Sequence, residues 1–170
     1  MIRWIGFAFV VSGAAATGMT MAANVKRTVN LLREWSSILR EMRSEIEFHL
    51  TPLGELCGIL ADGASDPIKN ILCSVENKLS DAPGRPAGIQ MREALSANGQ
   101  GIPIELKKII IDLFDALGRQ DVYAQIRAID MAQQRTQSAL QLLESEKKDR
   151  CRTYRVISVC AGIAIAVILI

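Results

Sequence analysis

Apolar and polar residues in this chain recur with the period of a helix, and long uncharged runs flank that pattern at both ends. From Val25 the apolar positions are Val25, Val29, Leu32, Leu39, Met42, Ile46 and Leu50. Steps of three, four and seven trace one face of a helix. Leu31, Trp35 and Ile38 widen the stripe, while Arg33, Glu34, Arg40, Glu41 and Glu47 take the opposite side. Thr51-Pro52 predicts the end of this helix, because proline moves the residue before it out of helical space and suits the start of a new helix. Thr51 is then expected to cap a short second helix, Pro52 to about Ala61. Asp62-Gly63 turns the chain, and Asp66-Pro67 repeats the cap-plus-proline device ahead of a third helix carrying Ile68, Ile71, Leu72, Val75 and Leu79.

Residues 80–88, S-D-A-P-G-R-P-A-G, read as a loop, and a short helix is expected around Ile89 to Ala97 before the break at Asn98-Gly99-Gln100-Gly101. Pro103 opens a fifth helix through Leu117, with Leu106, Ile109, Ile110, Leu113, Phe114 and Leu117 inward. Gly118 falls where a helix end favours a left-handed residue. Asp121 is placed to cap a sixth helix, with Val122, Ile126, Ile129, Leu140 and Leu143 on one stripe. Its centre, Ala132 to Gln141, holds few large apolar residues, so that stretch is expected to be exposed or to meet a partner. No segment of any length reads as a strand. The expected fold is all-α, a bundle of about six helices.

The two ends change the picture. Val156 to Ile170 carries no charge, and Lys147, Lys148, Arg150, Arg152 and Arg155 precede it. Fifteen helical residues reach only about 22 Å of a hydrocarbon core of ~30 Å. Arg152 and Arg155 can snorkel and Tyr154 suits the interface, so the mismatch is tolerable. Ile5 to Ala23 is a second uncharged run, between Arg3 and Lys26-Arg27, and rich in Gly, Ala and Ser. It reads either as a spanning helix or as a cleaved signal peptide with a small-residue site at Ala14-Ala15-Ala16. Lys and Arg collect on the cytoplasmic side of membranes, and only an uncleaved first span with a cytoplasmic middle places both basic collars inside. The expected organisation is a transmembrane helix over 1–23, a cytoplasmic helical domain over 24–154 and a transmembrane helix over 155–170. The first and last long helices then lie near each other, roughly antiparallel.

Charge and chemistry exclude several function classes. The chain has 20 Lys+Arg against 18 Asp+Glu, which is no nucleic-acid footprint. The basic cluster before Val156 is accounted for by anionic lipid headgroups. Cys57, Cys73, Cys151 and Cys160 form no C-x-x-C pair, and His49, the single histidine, stands at no zinc-ligand spacing. Reduced thiols are the natural reading. Neither a phosphate-binding G-x-x-x-x-G-K-[ST] loop nor G-x-S-x-G nor H-E-x-x-H is present. Asp112 and Asp115 are expected to face water. A membrane-tethered helical domain without polar clusters points to a scaffold rather than an enzyme, with no cofactor, metal or small-molecule substrate.

The chain resembles the stage III sporulation protein AB family of endospore-forming bacteria over nearly its whole length. The resemblance rests on the short N-terminal span, Glu45-Ile46 leading into Thr51-Pro52-Leu53, Leu113-Phe114, Leu117-Gly118-Arg119-Gln120-Asp121 followed by Gln125, and Tyr154-Arg155 ahead of a terminal span containing Gly162. Ser158 stands where family members tend to have glycine, and Gly101-Ile102-Pro103-Ile104-Glu105 is not the usual acidic lead into the fifth helix. The family is similar to the inner-membrane platform proteins of type II secretion and type IV pilus systems. The resemblance implies a non-enzymatic platform subunit of a secretion-like complex between mother cell and forespore, in the mother-cell membrane, docking a secretion-type ATPase and other membrane proteins. The alternatives are a platform in a pilus or secretion apparatus unconnected with sporulation, and a small membrane enzyme or exported, tail-anchored protein. Thr51, Pro52, Leu53, Leu117, Gly118 and Asp121 are expected to set the fold at one corner or to form a docking surface there.

Overall fold

The structure is a computed structural model that describes residues 25–117 and 121–169, with side chains described through Ser145. It is all-α, with no strand among the described residues. Helix α1 covers residues 25–44 and passes directly into a π-helical turn, Glu45–His49. The others are α2 (Leu53–Asp62), α3 (Ile68–Asp81), α4 (Ala87–Asn98), α5 (Ile104–Leu117) and α6 (Val122–Leu169). Two compact units divide the chain, Asn30–Ala139 forming one and the end segments Met1–Val29 with Leu140–Ile170 the other.

The core of the Asn30–Ala139 unit is built from the stripes that the sequence marks. On α1, Leu31, Leu32, Trp35, Ile38, Leu39, Met42 and then Ile46 are buried. All six inward positions expected on α5 are buried, as are Ile68, Ile71, Leu72 and Val75 on α3. Burying a side chain of this size contributes about 1.5–3 kcal/mol each, offset largely by chain entropy. Successive helices pack in order, α2 on α3, α3 on α4 and α4 on α5. Helix α6 reaches α1 through polar groups: Gln133 Nε2 donates to Ser36 Oγ at 2.7 Å, and Arg43 Nη1 to Asp130 Oδ1 at 2.8 Å. It reaches α5 through Arg135 Nη1, 2.9 Å from Asp112 Oδ2.

Several expectations are corrected. Thr51 does not cap α2; its hydroxyl donates to Glu45 Oε2 at 3.0 Å, and α2 begins after Pro52 with no side-chain cap. Nor does Asp66 cap α3, whose first turn comes after a cis Asp66–Pro67 peptide. Helix α4 begins two residues before the expected start, so the link from α3 is only residues 82–86. Buried Gln90 explains why so short a link is ordered: its Nε2 donates to the carbonyls of Ala82 (2.9 Å) and Arg85 (3.3 Å). Leu50 is exposed rather than inward, and the centre of α6 is not simply open, since Ala132 and Thr136 are buried. Thr136 satisfies its hydroxyl on the Ala132 carbonyl at 2.8 Å. Asp112 and Asp115 are partly exposed as expected, but each is engaged, by Arg135 and Arg92.

Among the described residues no helix is long and apolar enough to cross a membrane. The expected first span lies outside the described residues. The backbone of the expected last span is helical through Leu169, with its side chains outside the described part.

Candidate docking corner

Where α1 ends, α2 begins and α5 meets α6, the chain brings separate sequence elements together. Thr51, Pro52, Leu53 and Leu117 line one cavity of about 380 Å³, together with Ile46, Leu50, Leu56, Val122 and Gln125. Its floor is apolar because Ile46, Leu56 and Leu117 belong to the buried core. Two polar groups fix its walls. Gln125 Nε2 donates to the Leu117 carbonyl at 3.1 Å, satisfying a carbonyl at the end of α5 that has no partner within its own helix. Thr51 is tied to Glu45, which also sits 3.4 Å from His49 Nδ1.

Asp121 lies at the other side of the corner. As expected it caps α6: the Ala124 N–H donates to Asp121 Oδ1 at 2.8 Å. It lines a neighbouring groove of about 520 Å³ with Ala116, Tyr123, Arg127 and Met131. The left-handed position expected at Gly118 lies outside the described residues. Asp121→Ala is expected to lower stability by about 1 kcal/mol, read as a lower midpoint in urea denaturation of the detergent-solubilised chain with an unchanged slope.

The corner also contains a backbone turn and an exposed aromatic that the amphipathic pattern does not single out. The π turn ends at Leu50 with φ 53, a left-handed conformation that a leucine adopts at a cost. Phe48 and Leu50 are 74% and 65% exposed, so the turn displays two large apolar side chains to solvent. A phenylalanine one residue before the only histidine is a visible signal in the sequence, but nothing local announces the π turn.

Among the described residues the titratable groups supply no obvious reactive centre. Among the described residues no cluster of three or more His, Cys, Asp or Glu is placed to hold a metal. Burial, with a smaller contribution from Glu76, pushes the Cys57 thiol up to about 12. That protonated thiol contributes stability below its ordinary 9.0, lost as pH rises toward about 12. Iodoacetamide at pH 8 is expected to modify half-buried Cys73 while sparing buried Cys57 until the chain is denatured, as peptide mass spectrometry would read out. Hydrogen bonds from Lys78 and Arg85 hold the Glu93 carboxyl below its usual range, tying the α3–α4 link to α4.

The family profile described as stage III sporulation protein AB matches residues 3–170. The chain belongs to the stage III sporulation protein AB family. Its general role is therefore in sporulation. Among solved structures, one titled "Stage III sporulation protein AB (SpoIIIAB)" superposes with a TM-score of 0.65 at 16% identity, covering 72% of this chain and 98% of that one. At that identity the likeness speaks for the fold. No match was found among curated proteins.

Proposed function

We propose that this family member is a non-enzymatic platform subunit of a secretion-like channel complex between mother cell and forespore, anchored in the mother-cell membrane by both ends, with its helical domain in the cytoplasm. The helical domain docks a secretion-type ATPase and other membrane proteins of the complex. The observation that carries the reading is the corner: residues from Thr51-Pro52-Leu53 and from Leu117 converge on one apolar cavity, beside exposed Phe48 and Leu50. Large apolar side chains exposed together beside an apolar cavity form the kind of patch that a partner covers. The uncharged ends with their basic collars support the anchoring, and the absence of a phosphate-binding loop fits a subunit that receives an ATPase rather than being one.

Affinity capture from sporulating cells after mild detergent tests it. Recovery of a secretion-type ATPase with other small membrane proteins is the expected result, and recovery of the properly inserted chain alone would overturn it. The topology has its own test. Protease added to intact cells is expected to spare residues 24–155, and cleavage there would refute a cytoplasmic domain.

A further inference from the structure

We propose that the π turn and the cavity beside it form a docking site for a protein segment carrying an apolar anchor flanked by Lys or Arg; this deepens the platform reading and rests on it. Two features meet here. The backbone is held in an uncommon conformation, a π turn closed by left-handed Leu50, where Gly or Asn would be relaxed. At that turn Phe48 and Leu50 are exposed, Leu50 on the wall of the cavity over Ile46, Leu56 and Leu117. Strained turns persist where the surroundings over-determine them, and they cluster at binding sites. A cavity of about 380 Å³ accommodates an apolar side chain from a partner, with Leu50 on its wall and exposed Phe48 two residues away in the chain.

Charge selects the occupant. Glu47 shares Arg43 with Asp130, Glu45 takes the Thr51 hydroxyl, and exposed Glu55, on the first turn of α2, engages no other described residue. Among the described residues of the π turn and the first turn of α2, the two elements that flank the cavity, the carboxylates Glu45, Glu47 and Glu55 stand against Arg43 and the His49 imidazole beside Glu45, so this flank is acidic. That flank repels anionic headgroups, and a two-fold pairing of this corner with itself would set like charges against each other. It attracts a basic-flanked apolar segment.

The test places the photo-crosslinker p-benzoylphenylalanine at position 48 of the full-length chain in sporulating cells. The expected adduct is a single site in another protein, mapped by mass spectrometry to an apolar residue flanked by Lys or Arg. Its yield should fall at least about fivefold with Glu47→Lys combined with Glu55→Lys. Leu50→Gly separates docking from folding. It relieves the left-handed leucine, so the melting temperature is expected to rise by about 4 °C while the adduct is lost. An adduct with a second copy or with lipid, no adduct, or a yield indifferent to charge reversal would overturn the proposal. If the site maps to a basic-flanked apolar segment of a protein other than an ATPase, the corner stands and the ATPase-docking reading falls. If the ATPase co-purifies but crosslinks elsewhere, the reverse holds.

Discussion

Gly88→Val is expected to destabilise the helical domain by about 3 kcal/mol. Gly88 is the second residue of α4 and is buried against α5. A Cβ at this position would lie 3.1 Å from the Asp115 Cα and run into the Asp115 carboxylate, which Arg92 already holds. The carboxylate could swing aside, but the Cα moves only if α5 moves, and α5 carries six core residues. Valine adds two further carbons to the same clash, whereas the gain in helix propensity from replacing glycine is at most about 1 kcal/mol. Urea denaturation of the detergent-solubilised chain should show a lower midpoint with an unchanged slope. Gly54→Ala is the control: a Cβ there meets only Leu79 Cβ at 3.7 Å, an ordinary contact. It is expected to be neutral or slightly stabilising. Equal losses from the two substitutions would mean that α4 and α5 do not approach this closely.

The contrast between these glycines explains what the sequence could and could not convey. Both sit in the first turn of a helix, and neither the pattern nor the local residues distinguish them. Only the distance to the neighbouring helix does. Helix α5 was fully legible because its apolar residues are large, regularly spaced and bounded by Pro103 and the Asp121 cap, so local and tertiary preferences agree. Helix α4 was legible only in part. Its buried face includes Ala87, Gly88, Gln90 and Ala94, small or polar residues that carry little apolar signal.

Leu50 departs from the pattern for a more specific reason. Counting by threes and fours along α1 assumes an α-helix to the end, but the π turn at Glu45–His49 uses i to i+5 hydrogen bonds and rotates Leu50 away from the stripe. The same turn brings Glu45 within reach of Thr51 and takes away the cap that Thr51-Pro52 announced. Of the six residues expected at the corner, Thr51, Pro52, Leu53 and Leu117 share a cavity and Asp121 faces the groove next to it. The side chains that most change the corner's chemistry, Phe48 and Leu50, lie in a turn that no propensity rule signals.

Phe114→Ala is expected to cost about 4 kcal/mol, and Tyr123→Ala almost nothing, although both remove an aromatic ring near the α5–α6 junction. Phe114 is fully buried, so alanine leaves a cavity that the packed α5 face cannot collapse, while Tyr123 is 85% exposed. Against a total stability of about 5–15 kcal/mol for a typical domain, the first loss removes a large share and the second none. Thermal unfolding monitored by circular dichroism would test the pair, and a Tyr123→Ala loss matching that of Phe114→Ala would refute the packing described for α5. The difference also governs how sporulation phenotypes of variants should be read. A Phe114 variant would lower protein level and so impair any function that the fold supports. A change at exposed Phe48 or Tyr123 leaves the core untouched. A sporulation defect at normal protein level would then have to come from a lost contact with another molecule.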